Sequence, residues 1–253
     1  MRVFGIIVLL YAPLFGQAMS DELASELVRK AEAAYAEGDV VSALALYDSV
    51  AVDHVSPALL YNIGNCHFKQ GDLAHAILYY ERSLVRDPGA EDARANLDLA
   101  RSLLRDRINE LPSIGLAPLW DRLSGGLSVD RWAWSSFIAL LLACLAWALV
   151  ITRTGPGPLR STLRIAGAVL GLVAIIGVAM AAYRHGSIHS SDKAIIMHQK
   201  IEVHSEPREN STVQVQLHEG TKVELLQQRN GWTEVRLENG TVGWTPTASL
   251  EPI

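Results

Sequence analysis

Hydrophobic and polar positions divide this 253-residue chain into four regimes. An apolar run over 3–15 follows Arg2 and precedes the small residues Gly16 and Ala18. A basic residue, a short apolar stretch and small residues at that spacing form the pattern of a secretory signal, expected over 1–19 and either cleaved or kept as an anchor. From 21 to 110, apolar residues recur at helical spacing among many Ala, Leu and charged residues. That periodicity predicts helices at about 21–37, 41–53, 57–70, 72–86 and 90–108. Two uncharged stretches follow, at 132–152 and 165–183. Beyond Ser190 the pattern alternates, as in VQVQL, KVELLQ and TEVRL, which predicts short strands. Asn230-Gly231 and Asn239-Gly240 are hairpin-turn dipeptides between such runs.

The uncharged stretches set the topology. Twenty-one residues at about 1.5 Å each reach roughly 31 Å, enough to cross a hydrocarbon core of about 30 Å. The first stretch holds nine Leu, Ile, Val or Phe residues, worth about −4 kcal/mol on an insertion scale. The second carries Gly167-x-x-x-Gly171 with Ala174 and Gly177 beyond. Small residues so spaced let helix backbones approach in lipid, either against the first span or between two copies. Arg153, Arg160 and Arg164 occupy the connection at 153–164, which has no acid, and a short basic loop lies on the cytoplasmic side. The expectation is a two-span hairpin in a bacterial cytoplasmic membrane, with 20–110 and 184–253 both outside the cytoplasm and 111–131 an interfacial linker.

Composition sharpens this reading. A mean hydropathy of +0.17 with 19% charged residues departs from ordinary soluble proteins. The net charge of −5 argues against nucleic acid as a partner. Cys66 and Cys144 fall in different regimes, which excludes a disulfide framework and a cysteine zinc site. His185 and His189 stand four apart, but no carboxylate sits at ligand spacing, so a juxtamembrane linker is favoured over a metal site. Walker, nucleophile-elbow and paired-histidine zinc motifs are missing, and the expectation is a protein without enzymatic activity, cofactor or metal.

Self-similarity carries the first resemblance. Residues 34–50 align with 67–84, and Gly38 and Gly71 stand 33 apart, each followed by Asp. The unit at 57–90 resembles the tetratricopeptide repeat: Ile63-Gly64, Gly71, Ala76, Tyr80 and Asp87-Pro88 fall on its marks. It departs at His67, where an aromatic is usual, at Leu60 and at Ser83. A weaker unit at 24–56 and a capping helix at 90–108 complete the expected stack. Such repeats present a concave face to a peptide or protein, and the resemblance puts Tyr61, Asn62, Asn65 and Asn96 there. Those asparagines either bind a partner's backbone or pair with neighbouring helices. The region 20–112 has nine basic and sixteen acidic residues, net −7.

The tail resembles the bacterial SH3 domain. Its marks are Val203-x-Ser205-x-Pro207, Leu217-x-x-Gly220, Gly231-Trp232 and Gly243-Trp244. Trp232 and Trp244 are groove candidates, although a barrel this small also needs large side chains in its core. The fold class expected is therefore a multidomain membrane protein: α-helical tetratricopeptide repeats, two transmembrane helices and a small all-β SH3-like barrel. This order resembles the BatE-type proteins of bacterial aerotolerance (Bat) operons. The likeness is sharpest in AILYYERSLVRDPGAEDARANL and in the run 128–134. The resemblance implies membrane-anchored von Willebrand A-type proteins as partners; peptidoglycan is the rival ligand for the barrel.

Overall fold

The computed structural model describes residues 19–106, 128–152, 155, 157–189 and 192–253. The signal up to residue 18, most of the 111–131 linker and Arg153 lie outside the described residues.

Five helices form the repeat region: α1 (Asp21–Glu37), α2 (Val40–Ala51), α3 (Pro57–Gln70), α4 (Leu73–Arg86) and α5 (Glu91–Ser102). Their boundaries follow from capping chemistry. Ser20, Asp39, Ser56 and Asp72 each accept an N–H from the first turn of the following helix, which satisfies a donor that the helix cannot. Gly38 and Gly71 end α1 and α3 with φ of +90° and +82°, a region where only glycine is at ease. The repeated Gly-Asp thus closes one helix and opens the next. The last helix corrects the sequence reading, stopping at Ser102 and not at 108. Beyond it the chain turns so that Leu104 and Asp106 face the C-terminal module.

Ala31, Ala43, Tyr47, Ile63 and Cys66 form one core of the stack, and Ala76, Ile77, Tyr80, Leu97 and Ala100 the next. Gly64 is the close crossing between α3 and α4. A Cβ there would lie 2.7 Å from Tyr80 Cε1, with the Ala76 carbonyl oxygen at 3.4 Å. The Tyr80 ring fills the space a side chain would need.

Two apolar helices, α6 (Val129–Thr152) and α7 (Pro158–His189), pack against each other and are long and apolar enough to cross a membrane. Leu140, Leu141, Leu145, Ile165, Leu172 and Ile175 are exposed on them. A surface that apolar is costly in water and suits lipid. A Cβ added at Gly167 would meet the Trp147 indole and one at Gly177 the Ser136 side chain, whereas one at Gly171 would meet open space. Contact between the two helices of one chain therefore uses Gly167 and Gly177 and skips the second glycine of the Gly-x-x-x-Gly pair. Arg160 and Arg164, expected in the connection, lie on the first turns of α7. That helix also continues to His189, beyond residue 183 where the uncharged stretch ends.

The tail is one antiparallel sheet of seven strands. Its strands are β1 (Lys193–Ile196), β2 (Lys200–His204), β3 (Val213–His218), β4 (Lys222–Arg229), β5 (Trp232–Arg236), β6 (Val242–Pro246) and β7 (Leu250–Pro252). Their order is β3-β2-β6-β5-β4-β1-β7. Alternate residues, including Ala194, Ile196, Val203, Leu217, Val223 and Val235, point into its core. Asn230 and Gly231 both have positive φ, as a two-residue type I′ turn requires. At the second dipeptide only Gly240 does, closing a turn in which its N–H donates to the Leu237 carbonyl (2.8 Å).

Candidate functional site

The first helices of the pairs, α1, α3 and α5, gather the residues expected on the concave face. Tyr61, Asn62 and Asn65 come from α3 and Asn96 from α5, all half-buried. Asn65 Oδ1 accepts from the Tyr80 hydroxyl (2.8 Å) and from Asn96 Nδ2 (2.9 Å), while Asn96 Nδ2 also donates to the Tyr61 hydroxyl (3.2 Å). Both sequence alternatives meet here: Asn65 and Asn96 pair across helices, yet the Nδ2 of Asn65 has no partner among the described residues. Asn62 likewise makes no side-chain hydrogen bond among them. In the last turn of α3, Lys69 Nζ sits 4.6 Å over the Tyr35 ring. Burial pushes the Tyr80 phenol well above its ordinary range, so it acts as a fixed hydrogen-bond donor. The face offers amide and phenol groups and one cation, suited to the backbone and polar side chains of an extended chain.

On the barrel, Trp232 and Trp244 part company. Trp244 is 9% exposed and belongs to the interior. Trp232, at the start of β5, is half-buried, with the His204 ring edge-on at 5.4 Å. Ser211 Oγ lies 3.3 Å from His204 Nδ1 and Glu202 Oε2 lies 3.9 Å from its Nε2. Of the two tryptophans, Trp232 is the one a ligand can reach.

Sequence reasoning missed the contact between the two modules. The outward side of β1 lies on α4, so Ile195, Met197 and Ile253 of the barrel join Ile77, Leu97, Ala100 and Leu104 in one apolar cluster. Polar clamps surround it. Glu81 Oε1, buried, accepts from Arg101 Nη2 (2.6 Å) and from Lys222 Nζ (2.7 Å). Arg82 donates to Glu251 (2.9 Å) and to the Pro252 carbonyl (2.6 Å). Asp106 accepts the His218 backbone N–H (2.6 Å) and the Thr221 hydroxyl (3.2 Å), with His218 Nδ1 at 2.8 Å from its other oxygen. Burial pulls the Lys222 ammonium down, and Glu81 opposes that shift. A signal was present in the sequence: Ala194-Ile195-Ile196-Met197 is continuously apolar, the mark of a strand covered on both faces.

His67, Asp72 and His75 also come together where α3 meets α4. His75 Nδ1 is 2.7 Å and His67 Nδ1 3.3 Å from Asp72 Oδ2. The two imidazoles stack with 18° between their planes, and Tyr79 stacks on the other side of His67. One ligand atom from each of the three lies within 4.8 Å of the others, a spacing that could hold a metal ion. The arrangement is a helix cap with a ring stack. Burial pushes the His67 imidazole down from 6.5 and the Cys66 thiol up to about 11, which makes it inert.

A helical repeat stack joined to an SH3-like barrel, with two span-length apolar helices between them, defines the architecture. Residues 57–89 match the tetratricopeptide repeat. Residues 203–250 match the bacterial dipeptidyl-peptidase Sh3 domain. No curated protein matches the chain. Modules of these two kinds serve protein–protein interaction or peptidoglycan binding.

Proposed function

We propose that this chain is a membrane-anchored scaffold without enzymatic activity of its own, which presents both modules outside the cytoplasm to hold partner proteins near the bilayer. The observation that carries this reading is the division of the repeat stack. Its α4–α5 side is occupied by the barrel, while Asn62 and Asn65 Nδ2, half-buried on α3, make no side-chain hydrogen bond among the described residues. A stack covered on one flank keeps a single face for an incoming chain. The basic connection argues for a cytoplasmic bend and two extracytoplasmic ends. The whole-chain likeness to BatE-type proteins supports an aerotolerance or stress complex with von Willebrand A-type membrane proteins.

The rival reading is an envelope sensor whose barrel binds peptidoglycan peptides, and the half-exposed Trp232 favours it. The two are separated by placing a photo-crosslinking residue at Asn62 or at Trp232 in the full chain in native membranes. The scaffold reading expects protein adducts at position 62 that Asn65→Leu reduces. Retention on murein sacculi that is lost in Trp232→Ala, with no protein adduct at 62, would replace it with the sensor.

A further inference from the structure

The helical module begins with an unusually well-held residue. The Met19 backbone nitrogen donates to Asp53 Oδ2 at 2.9 Å, across to the α2–α3 loop. His54 Nε2–H donates to the Met19 carbonyl at 2.8 Å, and Asp21 Oδ1 lies 3.7 Å from the other His54 nitrogen. The Met19 side chain packs against the first repeat core. One residue later, Ser20 caps α1. Immediately before Met19 stand Gly16-Gln17-Ala18, with small residues at the two positions a signal peptidase reads. The last residue a peptidase would remove is thus followed at once by the first residue the fold uses.

We infer that the Ala18–Met19 bond, one residue short of the end of the 1–19 signal expected from the sequence, is hydrolysed by a membrane signal peptidase and that the new Met19 ammonium is held as an ion pair by Asp53. Water adds across the amide: residues 1–18 leave with a carboxylate at Ala18, and the Met19 nitrogen becomes an ammonium with three donors. Before cleavage that nitrogen offers Asp53 one neutral N–H; afterwards the same contact is charge-assisted. The positive end of α1 opposes a cation there, and Asp21 and Glu22 in its first turn, with Asp53, offset it. Cleavage costs the fold nothing, because Met19 and the Ser20 cap stay in place. The inference rests on the export proposed above.

Its test is the N-terminal sequence and intact mass of the full chain purified from bacterial membranes, read beside external-protease digestion of spheroplasts. A chain starting at Met19 is the expected result, with Ala18→Leu accumulating the precursor. An intact leader on a chain whose helical module is digested overturns the inference and leaves export standing. An intact leader on a protected module overturns both, and a start at any other residue overturns the inference. The ion pair has its own readout, acylation of the α-amine by an activated ester at neutral pH. Asp53→Asn should speed it about two- to fivefold, the range of one exposed pair; equal rates would remove Asp53 from the inference.

Discussion

Replacing Glu81 by Gln tests the docking of the two modules at its least tolerant point. The Glu81 side chain is 8% exposed, and its Oε1 accepts from both Lys222 and Arg101. A carboxamide keeps the shape but leaves two cations facing each other across the interface. Breaking a buried pair costs about 3–5 kcal/mol. Arg101 is 31% exposed and can turn to water, so about 2–3 kcal/mol is the working figure. A cysteine at Met197, half-buried in the shared apolar cluster, reports opening through its reaction with a water-soluble maleimide. Cys66 is buried in the repeat core, and Cys144, exposed on an apolar helix, is replaced by Ser so that it does not compete. Glu81→Gln should speed labelling by about thirty- to a hundredfold, since 1.4 kcal/mol is a factor of ten. Pairing it with Lys222→Met should restore most of the protection, a coupling of about 1–3 kcal/mol. Labelling unchanged by Glu81→Gln, or single effects that simply add, would refute the ion pair as a clamp.

Two further outcomes follow from the packing. Gly64→Ala should destabilise the repeat stack by about 1–3 kcal/mol, because the new Cβ displaces a Tyr80 ring that is fully buried and tied to Asn65; an unaltered thermal midpoint would contradict the crossing. His67 is pushed below 6.5 by burial, so the unfolded chain binds the proton more readily and the fold loses stability as pH falls through and below that value. His67→Phe keeps the ring stack and should flatten the decline in thermal midpoint between about pH 7 and 5; an identical decline would assign the acid sensitivity elsewhere.

Local chemistry was legible in the sequence and long-range docking was not. Gly38-Asp39 and Gly71-Asp72 declared their helix ends because φ and capping are decided within a few residues. Gly64 stands on a mark of the repeat, and the structure puts the Tyr80 ring and the Ala76 carbonyl against it. The end of α5 was misplaced because the periodicity of 90–108 continues past the point where Leu104 and Asp106 are drawn onto the barrel. Tertiary contact there overrides propensity. Nothing local marks Glu81, Lys222 and Asp106, since the contacts they make between the modules span more than a hundred residues. For the concave face the residue types were legible, but the sharing of Asn65 between Tyr80 and Asn96 needed three helices in place.

The seating of β1 on α4 carries a parity constraint. If α6 and α7 cross a bilayer as proposed, residues 81 and 222 touch only where the polypeptide traverses it an even number of times between them. Two crossings satisfy that count, and a chain inserted with one or three would leave Ile195 and Ile77 on opposite faces, each exposing a bare apolar patch to water. Under the proposed insertion, seating the C-terminal module on the N-terminal one requires both to lie on the same side of the bilayer, whichever side that is.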